Sequence, residues 1–283
     1  MWIIHSQVHW IIKVEIRSKY MNNKESSKPV RPVYFYPGRL ADYSYPAFPV
    51  SNMLIVGNED SGVNTLVNSI IVNGVEKNSP TDLKIRLHDC NSDTVSYWSD
   101  NEYQPGMLKG VPHTIGVTNK NTKLNDILKE AKSLAETRLE VLRSFDNAEE
   151  EFDYQSSLST VLFIVKDFSL EVDEEFHHLV EFIVSTSAES KVYLILATSY
   201  WDSNSLSDEL LNEIGYHICL KTDSRTSAKL IGSTCAATSL PKFGWLYLYD
   251  VVSEELSDKM CIPFHPDTFI KKFVRAFSVA KEG

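Results

Sequence analysis

Apolar residues follow two alternating rhythms from Met53 onward. Short β-branched runs occur at 53–57 (MLIVG), 84–89 (KIRLHD), 114–118 (TIGVT), 161–165 (VLFIV), 193–197 (YLILA), 217–221 (HICLK) and 245–249 (WLYLY). Each is short, apolar and bounded by polar or turn-forming residues, which predicts a buried strand. Between them the apolar spacing changes to three and four. The clearest case is 123–145, where Leu124, Ile127, Leu128, Ala131, Leu134, Ala135, Leu139, Leu142 and Phe145 make one stripe, predicting a helix laid on the sheet. A second helix is predicted over 172–186, burying Phe176, Leu179, Val180 and Ile183. Strands alternating with helices predict an α/β fold with a mostly parallel central sheet. No internal repeat interrupts the alternation. The acidic stretch 146–153 has no apolar stripe and reads as a solvated loop rather than a metal site.

The first fifty residues differ from the rest. Residues 32–49 are rich in aromatic residues and proline, which forbids a long helix or a central strand there. Residues 1–50 therefore read as an irregular amino-terminal arm, with 51–283 as the folded domain. The segment 1–20 is apolar but interrupted by Ser6, Gln7, His9, Lys13 and Glu15, unlike a signal peptide, and is either a pairing strand or an over-assigned start ahead of Met21. No window approaches the length of a membrane-spanning helix, so direct membrane insertion is not expected.

Charge sharpens the contrast. Residues 1–50 hold 7 Lys/Arg and 3 Asp/Glu, while 51–283 hold 21 and 35, a local net of −14. Such a body has no electrostatic means of holding DNA by itself, so autonomous nucleic-acid binding is not expected. Cys90, Cys219, Cys235 and Cys261 lie far apart, without zinc spacing, as in a cytoplasmic protein with reduced thiols.

The most informative segment is 53–72, MLIVGNEDSGVNTLVNSIIV. A strand enters Gly57, the residues Asn58, Glu59, Asp60 and Ser61 follow, then Gly62, then a helix with Leu66, Val67, Ile70 and Ile71 on its apolar face. This is the layout of a phosphate-binding loop, in which glycine lets the backbone wrap an anion at a helix amino terminus. The working motif needs a lysine and then a Ser or Thr after the second glycine. Here Val63 and Asn64 occupy those positions, and Thr65 comes one residue late, rotated by about 100°. Glu59 and Asp60 add negative charge where phosphate would bind. A unit charge about 5 Å from a phosphate charge costs about 3 kcal/mol at an effective dielectric of about 20, an upper bound if these side chains point outward.

Three later segments, in order, carry a resemblance. Strand 161–165 is followed by Lys166-Asp167-Phe168, strand 193–197 by Thr198-Ser199, and strand 217–221 by Thr222-Asp223-Ser224-Arg225-Thr226. Ala228-Lys229-Leu230-Ile231-Gly232 and Phe243-Gly244-Trp245 come next, and Glu136 and Arg138 lie in the long helix. Over roughly residues 50–250 this series resembles the FtsK/SpoIIIE family of translocase ATPases, whose EssC branch drives type VII protein secretion. The resemblance implies a three-layer, RecA-like P-loop NTPase fold.

It also implies what is missing. Lys166 stands at the family's magnesium-coordinating Asp, Asp167 at the water-activating Glu, and Ser199 at the phosphate-sensing Gln. Phosphoryl transfer depends on positioning and charge neutralisation, so these departures imply a pseudo-ATPase. No cofactor is expected beyond weak binding of ATP with magnesium, and no catalytic residue or metal site is assigned. The implied role is a structural or regulatory member of a secretion or DNA-transfer assembly, cytoplasmic or recruited to the inner face of a membrane. Its partners would be homologous active ATPase domains or a membrane-anchored translocase. An apolar Val63 would suit the cleft to a partner's signal peptide. Two alternatives stay open: a weak ATPase that uses Asp167 and a neighbour's cation, and a stand-alone adaptor. Arg225 is either a trans-acting finger for a neighbour's nucleotide or a local partner of Asp223 or an acidic helix. His177-His178 reads as helix surface, because adjacent rings on a helix diverge. His88-Asp89-Cys90 ends a strand, with Asp89 as a structural acid. The aromatic loop 34–48 would cover a base, meet a partner or seal the sheet.

Overall fold

A computed structural model describes residues 31–91, 111–170, 172–202 and 205–279. The segment 1–20 lies outside them. An antiparallel ribbon, β1 (Tyr34–Phe35) with β2 (Phe48–Pro49), precedes the main sheet. There follow β3 (Met53–Val56), α1 (Val63–Lys77), β4 (Leu83–Asp89), β5 (Thr114–Asn119), α2 (Leu124–Leu142) and α3 (Ala148–Ser157). Next come β6 (Thr160–Lys166), α4 (Glu174–Ser190), β7 (Val192–Thr198), α5 (Asp208–Glu213), β8 (Tyr216–Cys219) and α6 (Ser224–Ile231). The chain closes with β9 (Trp245–Asp250), β10 (Glu255–Leu256), β11 (Met260–Cys261) and α7 (Asp267–Val279).

The sheet order is β10-β9-β8-β3-β7-β6-β4-β5, with β11 also on β9. From β8 to β5 every neighbouring pair is parallel, and β9 turns the edge antiparallel. The strand that feeds the Gly57 loop is thus central, flanked by β7 and β8. The β6 strand, which ends at Lys166, lies one strand farther away.

Each face of the sheet has its own core, giving three layers. On one face Met53, Ile55, Ile85 and Ile218 meet α1 through Leu66, Ile70 and Val67, and α7 through Ile270 and Val274. On the other, Leu54, Phe163, Val165 and Leu194 meet α2 and α4 through Leu128, Ala131, Phe176 and Val180. The strands are buried on both faces, which explains their unbroken apolar runs. Phe35 and Phe48 pack on Tyr216 at ring-centroid distances of 5.5 and 5.9 Å, so the aromatic loop seals the sheet.

The acidic stretch corrects the loop expected there. It enters α3, whose amino terminus is capped by the Asn147 side chain accepting from the Glu150 N–H at 2.9 Å. No residue of α3 is buried, so its helix left no apolar stripe to read, and it stays solvated as expected. His178 is exposed on α4, within 4.0 Å of Glu174 and Glu181.

Candidate functional site

The carboxyl ends of the parallel strands gather the predicted site on one edge. Hydrogen bonds continue the ladders past the strand ends and pin the loop. The Gly57 N–H donates to the Thr198 carbonyl at 3.3 Å, and the Asn58 N–H to the Lys221 carbonyl at 2.7 Å. The Ser61 N–H then turns back onto the Asn58 carbonyl at 3.0 Å, closing a tight turn with Asp60 at φ 63°. The loop is therefore wound on itself.

Its centre is filled by its own side chain. Ser61 is buried, and a Cβ built on Gly57 would lie 2.2 Å from the Ser61 Oγ and 2.9 Å from the Leu220 Cβ. Only glycine allows that approach. The Ser61 Oγ has no hydrogen-bond partner among the described residues. Gly62 takes φ 109° and starts α1 without a side-chain cap. Val63 is 4% exposed and belongs to the core beneath α1, which leaves little of its side chain for a cleft. Asn64 is exposed and Thr65 half-buried. Glu59 and Asp60 point outward, and Asp60 pairs with Lys242 at 3.3 Å.

Along the same edge, Asp89 and Lys166 end adjacent parallel strands in direct register. The Lys166 Nζ donates to the Asp89 Oδ2 at 2.5 Å, both side chains being buried. The other Asp89 oxygen, Oδ1, accepts from the Asn91 N–H at 3.2 Å. Sequence reasoning marked both residues but not their pairing, whose only signal was that each closes a strand. Asp89 closes β4, and its partner is the lysine that closes the neighbouring strand β6.

Asp167 follows at φ 55°, a left-handed conformation uncommon for a residue with a Cβ. Its N–H donates to the Ala197 carbonyl at 2.6 Å, and its Oδ1 accepts from the Ser199 N–H at 3.3 Å. Burial holds the Asp167 carboxyl above the usual range, against the Ser199 N–H and the nearby Lys166 charge. Ser199 therefore meets Asp167 through its backbone.

Behind Asp89, His88 is wholly buried on β4. Its Nδ1 lies 2.9 Å from the Thr118 Oγ1, while Nε2 has no partner among the described residues. Burial, helped by the Arg86 charge and opposed by Asp89, brings its pKa down to about 4. Arg86 reaches Glu130 of α2 at 3.1 Å.

Arg225 stands in the first turn of α6. Asp223 uses its carboxylate on the N–H groups of Arg225 and Thr226 at 2.9 and 3.0 Å, and on the Thr226 hydroxyl at 2.7 Å. Asp223 is thus an N-cap, and the Arg225 side chain is exposed rather than paired with it. Arg138 is buried instead. Its guanidinium donates to the Ser190 carbonyl at 2.7 Å and the Ser159 carbonyl at 3.0 Å, tying α2 to the end of α4 and the start of β6.

No protein-family profile and no curated protein sequence matches the chain. Solved structures do. The cytoplasmic domain of the Thermomonospora curvata type VII secretion ATPase EccC aligns with a TM-score of 0.72 at 19% identity, over 89% of this chain and 32% of that one. EssC (ATPases 2 and 3) from Geobacillus thermodenitrificans gives 0.63 at 14%, over 90% and 50%. The pCW3 conjugation coupling protein TcpA, in its monomer form with ATPγS, gives 0.62 at 12%, over 87% and 71%. The chain spans about a third of the EccC chain and half of the EssC chain. These neighbours are FtsK/SpoIIIE-type translocase ATPases, as the ordered landmarks implied. The chain has the α/β P-loop NTPase fold of those translocase domains, built on a mostly parallel central sheet.

Proposed function

We propose that the chain is a pseudo-ATPase domain of the translocase type, serving as a structural or regulatory, partner-binding component of a secretion or DNA-transfer assembly. The observation that supports this most is the buried Lys166–Asp89 ion pair. An ammonium sits on the strand end where a magnesium-coordinating carboxylate would stand, and its partner is the neighbouring strand's acid. A divalent cation brought there would meet a fixed positive charge in a poorly solvated site. The phosphate loop reinforces the reading, because Ser61 fills the space over Gly57 and no lysine follows Gly62. The loop lacks a lysine after Gly62, and the end of β6 offers a lysine where a carboxylate would hold magnesium.

Such a domain acts through what it touches. Its partners are homologous active ATPase domains or a membrane-anchored translocase, and it works in the cytoplasm, reaching a membrane only through them. No helix among the described residues is long and apolar enough to cross a membrane. Arg225, exposed at the start of α6, is the group on this edge suited to reach a neighbour's phosphates.

The test is a titration with fluorescent ATP in magnesium beside a sensitive phosphate-release assay. The expected result is no saturation at millimolar nucleotide and release at background. Turnover that disappears in Asp167→Ala would overturn the proposal and establish the weak ATPase instead.

A further inference from the structure

At the opposite end of β8 from the phosphate loop lies a groove of about 380 Å³ between α5, α6 and the β9–β10 turn. Its lining is mixed: Val251 and the rings of His217 and Tyr249, with the nearly buried Leu211 and Leu230, stand beside the polar Asp208, Asn212, Lys229 and Glu254. The His217 ring is fixed, with Nδ1 2.8 Å from the Leu230 carbonyl and Nε2 3.0 Å from the Leu211 carbonyl. Both carbonyls belong to the last turns of α6 and α5, so the floor lies against the electronegative ends of two helices.

The rim is acidic. Asp208 is held by Lys229 at 2.9 Å, which neutralises one carboxylate. Glu254 is the second, and it is exposed and forms no ion pair among the described residues. It sits at φ 56°, in a turn whose preceding N–H groups, those of Val252 and Ser253, are already bonded to the Asp250 side chain. A glycine would suit that backbone better. A glutamate there keeps a carboxylate at the mouth of the groove.

We propose that this groove docks a basic side chain, arginine or lysine, from an extended segment of a partner protein. The aliphatic stem would lie on Leu211, Val251 and the Tyr249 ring, and the charged head would meet Glu254 and the carboxyl end of α6. An aromatic face and a carboxylate beside the apolar Val251 side chain are groups that select a cation on an apolar stem. Among the described residues that line the groove, an anionic or neutral polar ligand would find no side-chain donor besides the already paired Lys229 and the Asn212 amide. The site does not depend on the state of the phosphate loop. It rests on the proposed function only in taking the domain to work through partners. An empty groove leaves the pseudo-ATPase reading standing, and ATP turnover leaves the groove standing.

The experiment uses the whole chain, isotope-labelled, and amide NMR titrations with three probes: the blocked tripeptide Ac-Ala-Arg-Ala-amide, its norleucine counterpart, and spermidine. The arginine peptide should shift the Leu211, Gly232 and Val251 amides and saturate in the millimolar range. Glu254→Gln should weaken it about fivefold, the loss of one charge-assisted contact at a half-open site, with the rest of the spectrum unchanged. Three outcomes would overturn the docking site: equal shifts with the norleucine peptide, affinity unchanged in Glu254→Gln, or no saturation by about 10 mM, beyond which a contact of this kind has no useful affinity. Spermidine binding as tightly as the peptide would overturn the protein segment as the occupant.

Discussion

Replacing Lys166 by methionine keeps most of the unbranched stem, loses the ammonium and strands a carboxylate, Asp89, that is 4% exposed. The wild-type contact is 2.5 Å long with both partners buried, so little water is at hand to replace the lost ammonium. Breaking a buried pair by removing one partner costs about 3–5 kcal/mol, because an uncompensated charge remains. Lys166→Met should lose that much in urea unfolding, with an unchanged denaturant slope. Adding Asp89→Asn removes the stranded charge and retains an oxygen for the Asn91 N–H, so the double variant should recover about 2–3 kcal/mol. A third variant, Lys166→Asp, sets a carboxylate beside Asp89 and Asp167. It should be the least stable of the series and the only one that magnesium stabilises, by about 1.4 kcal/mol at ten times its dissociation constant. The reasoning fails if Lys166→Met costs less than about 1 kcal/mol, the range of an exposed pair, or if the two substitutions are additive. It fails equally if magnesium stabilises the wild type, since that would mean the edge already accepts a divalent ion.

Asp167→Asn should stabilise the protein by about 1 kcal/mol at pH 7, because it removes a buried charge and suits the left-handed backbone at φ 55°. The raised carboxyl pKa means that the wild type regains this stability as pH falls and Asp167 is protonated, so the two urea midpoints should converge at low pH. His88 has the opposite sign: its pKa drops from 6.5 unfolded to about 4 folded, so stability is full above 6.5 and is lost as pH falls through that window. The loss should reach about 3 kcal/mol by pH 4, and His88→Gln should flatten this limb of a stability-versus-pH curve. Arg138→Met should cost about 2–4 kcal/mol by leaving the Ser190 and Ser159 carbonyls without their donor, and Arg138→Lys should restore little, because an ammonium cannot span the fork. Hydrogen exchange should show the carboxyl end of α4 opening first in both variants.

The sheet was legible because its strands are buried on both faces and its helices on one. The 3- and 4-spaced stripe of α2 reports directly which side chains meet the sheet, and Leu124, Ile127, Leu128, Ala131 and Ala135 are all in its core. Leu134 is only half-buried, at the margin of that stripe, and Phe145, also half-buried, lies past the end of α2 at Leu142, so the helix is shorter than its spacing predicted. The α3 helix was illegible for the same reason in reverse: it buries nothing, and only its Asn147 cap marked its start. At the site, the sequence marked candidate positions one at a time. What could not be read along the chain was that residues far apart in sequence meet in space. Asp89 and Lys166 are 77 residues apart and become partners because β4 lies beside β6 in register, an adjacency that follows from strand order rather than from either strand's own pattern. Ser61 occupies an unremarkable motif position, and its burial depends on the left-handed Asp60 beside it. The fold therefore explains the two strand-end residues jointly. A lysine at the end of β6 would be a costly buried charge by itself, and a carboxylate at the end of β4 would be another. Together each removes the other's cost, and the pair needs no metal to hold the carboxyl edge of the sheet together.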